Sequence, residues 1–209
     1  MFEDRADAGR RLAEALAHLE EEDVVVLSIP RGGVEVGAEV ARSRGWPLDI
    51  VIPRKVRSPG NQELGLGAVA PGVRVLDERM VRSLGVSPEY LEREIALEEE
   101  EIRRRSAAYR AGMPPVELGG KVAVIVDDGV ATGGTAMAAL RWARAQGASR
   151  VILAVPVAPA EAVANLAKEA DEVVCLATPE PFYAVGQWYA SFPQTSDREV
   201  VRQLEESRR

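Results

Sequence analysis

Hydrophobic residues along the chain fall into two alternating rhythms. Ala8, Leu12, Ala15, Leu16 and Leu19 recur on one face at helical spacing, which predicts a helix over 4–22. Val24 to Leu27 is a short β-branched run that predicts a buried strand, ending in Ser28-Ile29-Pro30-Arg31-Gly32-Gly33. Val36 and Val40 mark a helix over 34–44 closed by Gly45, and Leu48 to Ile52 a second strand. Residues 53–67 are polar and Gly-rich and are expected to be a loop turning at Pro59-Gly60-Asn61, with two short strands around Pro71-Gly72.

The stretch 77–112 is helical in pattern. Ser87-Pro88 is an N-cap followed by proline at the first helical position, and the helix should run to about Arg110. The pairs Glu99–Arg103, Glu100–Arg104 and Glu101–Arg105 stand four apart in the favourable order, the pattern of a solvated face. Strands then return at Val122–Val126, Val151–Val155 and Val173–Leu176, with helices over Gly134–Gln146 and 159–169 between them. A last short helix is expected over about 197–207. Alternation of this kind predicts an α/β fold with a doubly wound, mostly parallel sheet in one domain over 1–209. Ligands in such sheets sit at the carboxyl ends of strands, beside the switch point.

Length and charge narrow the function. The chain has 209 residues and a formal charge of −7, which disfavours a broad nucleic-acid or membrane surface but leaves room for a local anion site. The apolar runs are far shorter than the ~18 residues of a membrane span, and the charged N-terminus carries no secretory pattern. A cytoplasmic protein is expected. The single cysteine, Cys175, fits a reducing compartment and sits in an apolar strand as a small core residue. With one histidine, His18, read as a surface residue, and one cysteine, a His/Cys zinc site is excluded and a serine triad is disfavoured.

The most specific segment is Val124-Ile125-Val126-Asp127-Asp128-Gly129-Val130-Ala131-Thr132-Gly133-Gly134-Thr135. A buried strand delivers two adjacent carboxylates, and a loop of small residues opens a helix. Free N–H groups at a helix start bind an anion, most naturally phosphate. The acids are acceptors for sugar hydroxyls, so a sugar phosphate suits both halves. There is no Gly-Lys-Ser/Thr, hence no Walker A loop.

This segment resembles the phosphoribosyl pyrophosphate (PRPP) signature of type I phosphoribosyltransferases. The resemblance implies that Asp127 and Asp128 hold the ribose 2′- and 3′-hydroxyls and that Ala131, Thr132, Gly133, Gly134 and Thr135 hold the 5′-phosphate. It implies that Arg31, Gly32 and Gly33 bind pyrophosphate, in a turn that often holds a non-proline cis peptide, here Pro30–Arg31. Arg54 and Lys55, with Arg57, resemble the basic residues of the family's flexible catalytic loop, which would close as a lid over departing pyrophosphate. On this resemblance Mg²⁺ is the expected cofactor, held mainly by substrate oxygens without a dedicated protein cluster. The partners are PRPP and a small nitrogenous acceptor, the assembly a homodimer. The family's 6-oxopurine enzymes commonly carry an acid where Ala131 stands, so that class is disfavoured.

Five of the ten aromatic residues, Phe182, Tyr183, Trp188, Tyr189 and Phe192, cluster near the C-terminus. In the family, terminal segments build a variable hood over the acceptor, so Tyr183 and Trp188 are acceptor-side candidates within a hood of 180–209; packing of the C-terminal segment onto the core or a second subunit is the equal alternative. Gly65 to Val69 and the helical insertion 77–112 look like a branch of predicted phosphoribosyltransferases without a settled acceptor. A PRPP-binding sensor without transfer is the alternative from another class. A pyrophosphokinase making PRPP is disfavoured because only one such loop is present.

Overall fold

The computed structural model describes residues 1–207, and of residues 62 and 63 the backbone alone. The first helix, α1 (Arg5–Ala15), starts where the Asp4 side chain accepts from the Asp7 N–H; a 3₁₀ turn at Ala17–Leu19 completes the expected helical stretch. Then follow β1 (Val24–Ser28), α2 (Gly32–Arg44), stopped by Gly45 at φ 70°, and β2 (Leu48–Ile50). After the central region come β6 (Val122–Val126), α5 (Gly134–Ala145), β7 (Arg150–Val157), α6 (Ala160–Leu166), β8 (Glu172–Ala177) and α7 (Asp197–Glu206). Between β2 and β6 lie β3 (Arg54–Ser58), β4 (Asn61–Ala70), β5 (Val73–Leu76), α3 (Glu78–Ser83) and α4 (Pro88–Arg110).

Five strands form one parallel sheet in the order β2-β1-β6-β7-β8. Its strands are largely apolar because both faces are covered. Val24 and Val26 of β1 join the core beneath α1, α2, α4 and α7, while Val25 and Leu27 join the one beneath α5 and α6. The chain leaves β1 toward β2 on one side and returns to β6 on the other. The switch point therefore lies between β1 and β6.

The expected polar loop over 53–67 is overturned. Arg54–Ser58 and Asn61–Ala70 pair as an antiparallel hairpin, and β5 extends it to a three-stranded sheet. Leu64, Leu66, Ala68 and Ala70 place an apolar residue at every second position, the strand rhythm that Gly65 and Gly67 concealed. Val56, Leu66 and Val69 pack in the core that holds Ile95 and Ile102 of α4; Ala68 and Ala70 pack with Ala138 of α5. The segment is thus a wedge seated between two helices at its base, rather than a lid free along its length.

Helix α4 matches its expected limits, with the Ser87 hydroxyl accepting from the Tyr90 N–H. Its charge pairing differs. Glu101–Arg105 is present at 2.6 Å, but Arg103 turns back to Glu100 at 2.5 Å and Arg104 to Glu101 at 2.7 Å. Glu99 faces Arg74 of β5 at 3.4 Å. Glu98 belongs instead to the buried stripe with Ile95 and Ile102 and is 5% exposed. The apolar stripe Ile95, Ile102 and Tyr109 is buried in the chain's own core, with Leu91 packed against it, so that stripe supplies no ground for a dimer. Cys175 is half-buried in β8, where burial pushes its thiol up.

Candidate active site

The site is built at the carboxyl ends of β1 and β6, which lie side by side with Ser28 opposite Val126. Both strands run straight into the segments that carry the motifs. After β1 comes Pro30-Arg31-Gly32-Gly33, with the Pro30–Arg31 peptide in cis. After β6 comes Asp127-Asp128. The two segments touch so closely that only glycine fits between them. A Cβ on Gly32 would lie 1.9 Å from Asp128 Oδ2, and one on Gly33 would lie 2.9 Å from the Asp127 Cα. The residues expected to meet pyrophosphate and those expected to meet ribose are therefore parts of one surface.

The acids are unlike each other. Asp127 Oδ1 accepts from the Asp128 N–H at 2.9 Å. Burial, and then the neighbouring Asp128 charge, push the Asp127 carboxyl well above the usual carboxylate range. Asp128 is held from two sides: Arg5 Nε donates to its Oδ2 at 2.8 Å, and the Tyr189 hydroxyl donates to its backbone carbonyl at 2.6 Å. Burial pushes the Tyr189 phenol up as well, so it stays a donor.

Residues 131–135 form the start of α5. Gly133 takes φ 85° as N-cap, and no side chain caps the helix. Its first N–H groups are left for an anion. Ala131 and Thr132 are exposed, and Gly134 and Thr135 half-buried, so the loop is open on its outer side. A cavity of about 410 Å³ adjoins it, lined by Thr132, Gly133, Gly134, Met137, Asp77 and Arg141 among others.

The cations are distributed differently from the expectation. Arg54 Nε lies 2.6 Å from Glu98 Oε2 and Arg57 Nη1 2.5 Å from Glu98 Oε1. Both guanidiniums of β3 are thus drawn to one buried carboxylate on α4. Lys55, between them, is exposed. The Arg31 side chain lies 3.7 Å from Asp197 at the start of α7. What its turn offers the site is backbone and the two glycines.

The C-terminal aromatic segment reaches the acids through Tyr189 and Phe192. Val185 covers Gly129, where an added Cβ would lie 2.5 Å from its Cγ1. Tyr189 and Phe192 face Asp128 and Arg5. Tyr183 is 82% exposed, and Trp188 packs on Phe182 with ring centroids 6.3 Å apart. Arg5 and Glu98 were missed by sequence reasoning, as each acts on a partner distant in the chain, and Tyr189 was noted only as one of the clustered aromatics.

Comparison with known proteins agrees with this geometry. Residues 2–187 match the family model described as "Phosphoribosyl transferase domain". A Mycobacterium tuberculosis protein named "Putative phosphoribosyl transferase Rv0571c" is 50% identical over 210 residues; the match takes in 100% of this chain and 47% of that protein. The chain thus spans about half the length of the curated relatives it matches. The crystal structure of TT1426 from Thermus thermophilus is 47% identical with a TM-score of 0.84, covering 99% of this chain and 98% of that one. A purine phosphoribosyltransferase from Pyrococcus horikoshii, 17% identical over 92% of this chain and 93% of its own at TM-score 0.50, shares the fold. A five-stranded parallel sheet, an acid pair at its switch point, an open helix start beside it and a family match over most of the chain agree: the chain belongs to the phosphoribosyltransferase family.

Proposed function

We propose that the protein transfers the phosphoribosyl group of PRPP to a nitrogenous, heterocyclic acceptor and releases pyrophosphate. One observation carries this reading. Three segments, 30–33, 127–128 and 131–135, meet around the ends of β1 and β6, and each offers what one part of PRPP needs. The uncapped start of α5 would take the 5′-phosphate. Asp127 and Asp128 would accept from the ribose hydroxyls. The backbone of residues 31–33 would meet pyrophosphate.

Transfer breaks the bond between ribose C1′ and a pyrophosphate oxygen, which keeps the electron pair. The acceptor nitrogen supplies the pair for the new bond to C1′ and gives up its proton if it carries one. The protein's task is to orient the ribose and exclude water. The 182–192 segment, seated on Gly129 and Asp128, is the element placed to cover the acceptor. Lys55, exposed on the hairpin, is the cation free to reach departing pyrophosphate, with Arg54 following once released from Glu98.

The donor set fits Mg²⁺. Asp127 and Asp128 are hard oxygen donors, and a dication beside them would favour the ionised form of the Asp127 carboxyl, which burial pushes up. When bound through both substrate and these acids, the ion would neutralise charge developing on the leaving group. A homodimer in the cytoplasm is part of the same proposal; no helix among the described residues is long and apolar enough to cross a membrane.

A second reading, a PRPP sensor, is favoured by the Glu98 contact, which occupies the two guanidiniums a transferase would turn to the leaving group. The deciding experiment mixes PRPP, Mg²⁺ and a panel of purine and pyrimidine bases and reads pyrophosphate release. Release with one base or base class supports transfer. PRPP binding without release across the panel supports the sensor.

A further inference from the structure

Arg5 lies at the first turn of α1, outside every motif, yet it is 5% exposed and has all its visible bonding directed at the site. Its Nε donates to Asp128 Oδ2 at 2.8 Å and its Nη1 to the Pro193 carbonyl at 2.6 Å. Its guanidinium carbon stands 3.9 Å from the centre of the Phe192 ring, and Glu35 Oε1 is 3.9 Å from Nη1. Gly32 packs on the pair itself: an added Cβ would fall 1.9 Å from Asp128 Oδ2 and 2.8 Å from Arg5 Nε. One guanidinium therefore joins the acid at the end of β6, the turn after β1 and the C-terminal aromatic segment.

A salt bridge serving stability alone gains little from such a place, because a buried pair costs much of what it returns. Its location has a chemical consequence instead. A bond to Oδ2 fixes which way the Asp128 carboxylate faces, and so which edge it can turn to a ligand hydroxyl. A planar guanidinium is suited to this, since one N–H can bind the acid while others bind a carbonyl and the ring stacks beneath.

We propose that Arg5 is a positioning residue that orients Asp128 toward the ribose of PRPP and ties the 189–193 segment to the ribose subsite. This rests on the PRPP reading above. Because Arg5 hydrogen-bonds the acid and only packs against Gly32 of the turn, its loss should weaken ligands that carry ribose far more than pyrophosphate.

The test is calorimetry of wild type, Arg5→Gln and Arg5→Lys with ribose 5-phosphate and with inorganic pyrophosphate, both with Mg²⁺. Circular dichroism checks that each variant is folded. Expected is a tenfold or greater loss of ribose 5-phosphate affinity in Arg5→Gln, pyrophosphate affinity within twofold of wild type, and recovery of part of the loss in Arg5→Lys, whose ammonium can still bind the acid. A purely structural role would lower both ligands together or leave Lys no better than Gln, and either result overturns the proposal. Equal ribose 5-phosphate affinity in all three proteins also overturns it while leaving the PRPP reading intact. Failure of wild type to bind ribose 5-phosphate would overturn the PRPP reading itself, and the role of Arg5 with it.

Discussion

Glu98 and Arg54 are 44 residues apart in sequence and 2.6 Å apart in space. Glu98 is buried in α4, and its other oxygen holds Arg57. The hairpin that carries the expected catalytic cations is therefore anchored to the helical insertion through one carboxylate. Glu98→Gln should leave both guanidiniums short of a counter-charge. A loss of about 1–3 kcal/mol is expected, less than for a fully buried pair because both arginines are partly exposed. Thermal unfolding should show this as a fall of roughly 2–4 °C per kcal/mol in a chain of this size. An unchanged Tm would mean that the anchor carries no stability.

The same contact sets what the two basic positions contribute. Lys55→Ala should reduce turnover more than PRPP affinity, because leaving-group charge is fully developed only in the transition state. Arg54→Ala should reduce both turnover and Tm, since it also removes a partner of Glu98. Steady-state kinetics beside calorimetry separates the two. Equal losses in binding and turnover for Lys55→Ala would place that residue in ground-state binding.

Two glycines in neighbouring motifs should respond oppositely to alanine. At Gly32 the new methyl meets Asp128 and Arg5 head-on, so Gly32→Ala should cost about 1–3 kcal/mol of stability and most of the PRPP affinity. At Gly134 a Cβ meets nothing within 4 Å and the residue opens a helix, so Gly134→Ala should leave Tm equal or slightly raised. Melting curves of the two variants check both.

Alkaline pH should probe the join between α4 and α7. The Tyr109 hydroxyl donates to Asp197 Oδ1 at 2.7 Å, and burial with that neighbouring acid pushes the phenol up to about 12. A group whose pKa is raised on folding stabilises the fold fully below its unfolded value near 10 and loses that contribution as pH climbs toward 12. Wild type should therefore lose roughly 2–3 kcal/mol from this group across that window. Tyr109→Phe should be about 1 kcal/mol less stable at neutral pH and show a flatter decline above pH 10. Parallel curves for the two proteins above pH 10 would remove Tyr109 as a cause.

What could be read from sequence was what lies within a few residues. The β1 and β6 strands, the Thr-Gly-Gly-Thr helix start and the Ser87-Pro88 cap are local patterns, and all stand where the chain predicts them. The hairpin was hidden because glycine and polar residues interleave with the apolar positions of β4, and its partner helices lie elsewhere in the chain. Arg5 could not be found this way at all. Its partner is 123 positions on, and nothing in an N-terminal helix distinguishes one arginine destined for burial from Arg10 or Arg11, which stay on the surface. The C-terminal aromatic cluster is legible in composition, but that Tyr189 and Phe192 are the ones packed on Asp128 and Arg5 depends on tertiary packing.

The acid pair is the part of the account on which the rest depends, and calorimetry of PRPP with Mg²⁺ tests it directly. The Asp127→Asn, Asp128→Asn double variant is compared with wild type, with circular dichroism as the control for folding. Each lost charge-assisted acceptor is worth about 1.5–3 kcal/mol, so affinity should fall at least a hundredfold. PRPP binding of equal strength in the two proteins would contradict the assignment of the ribose site.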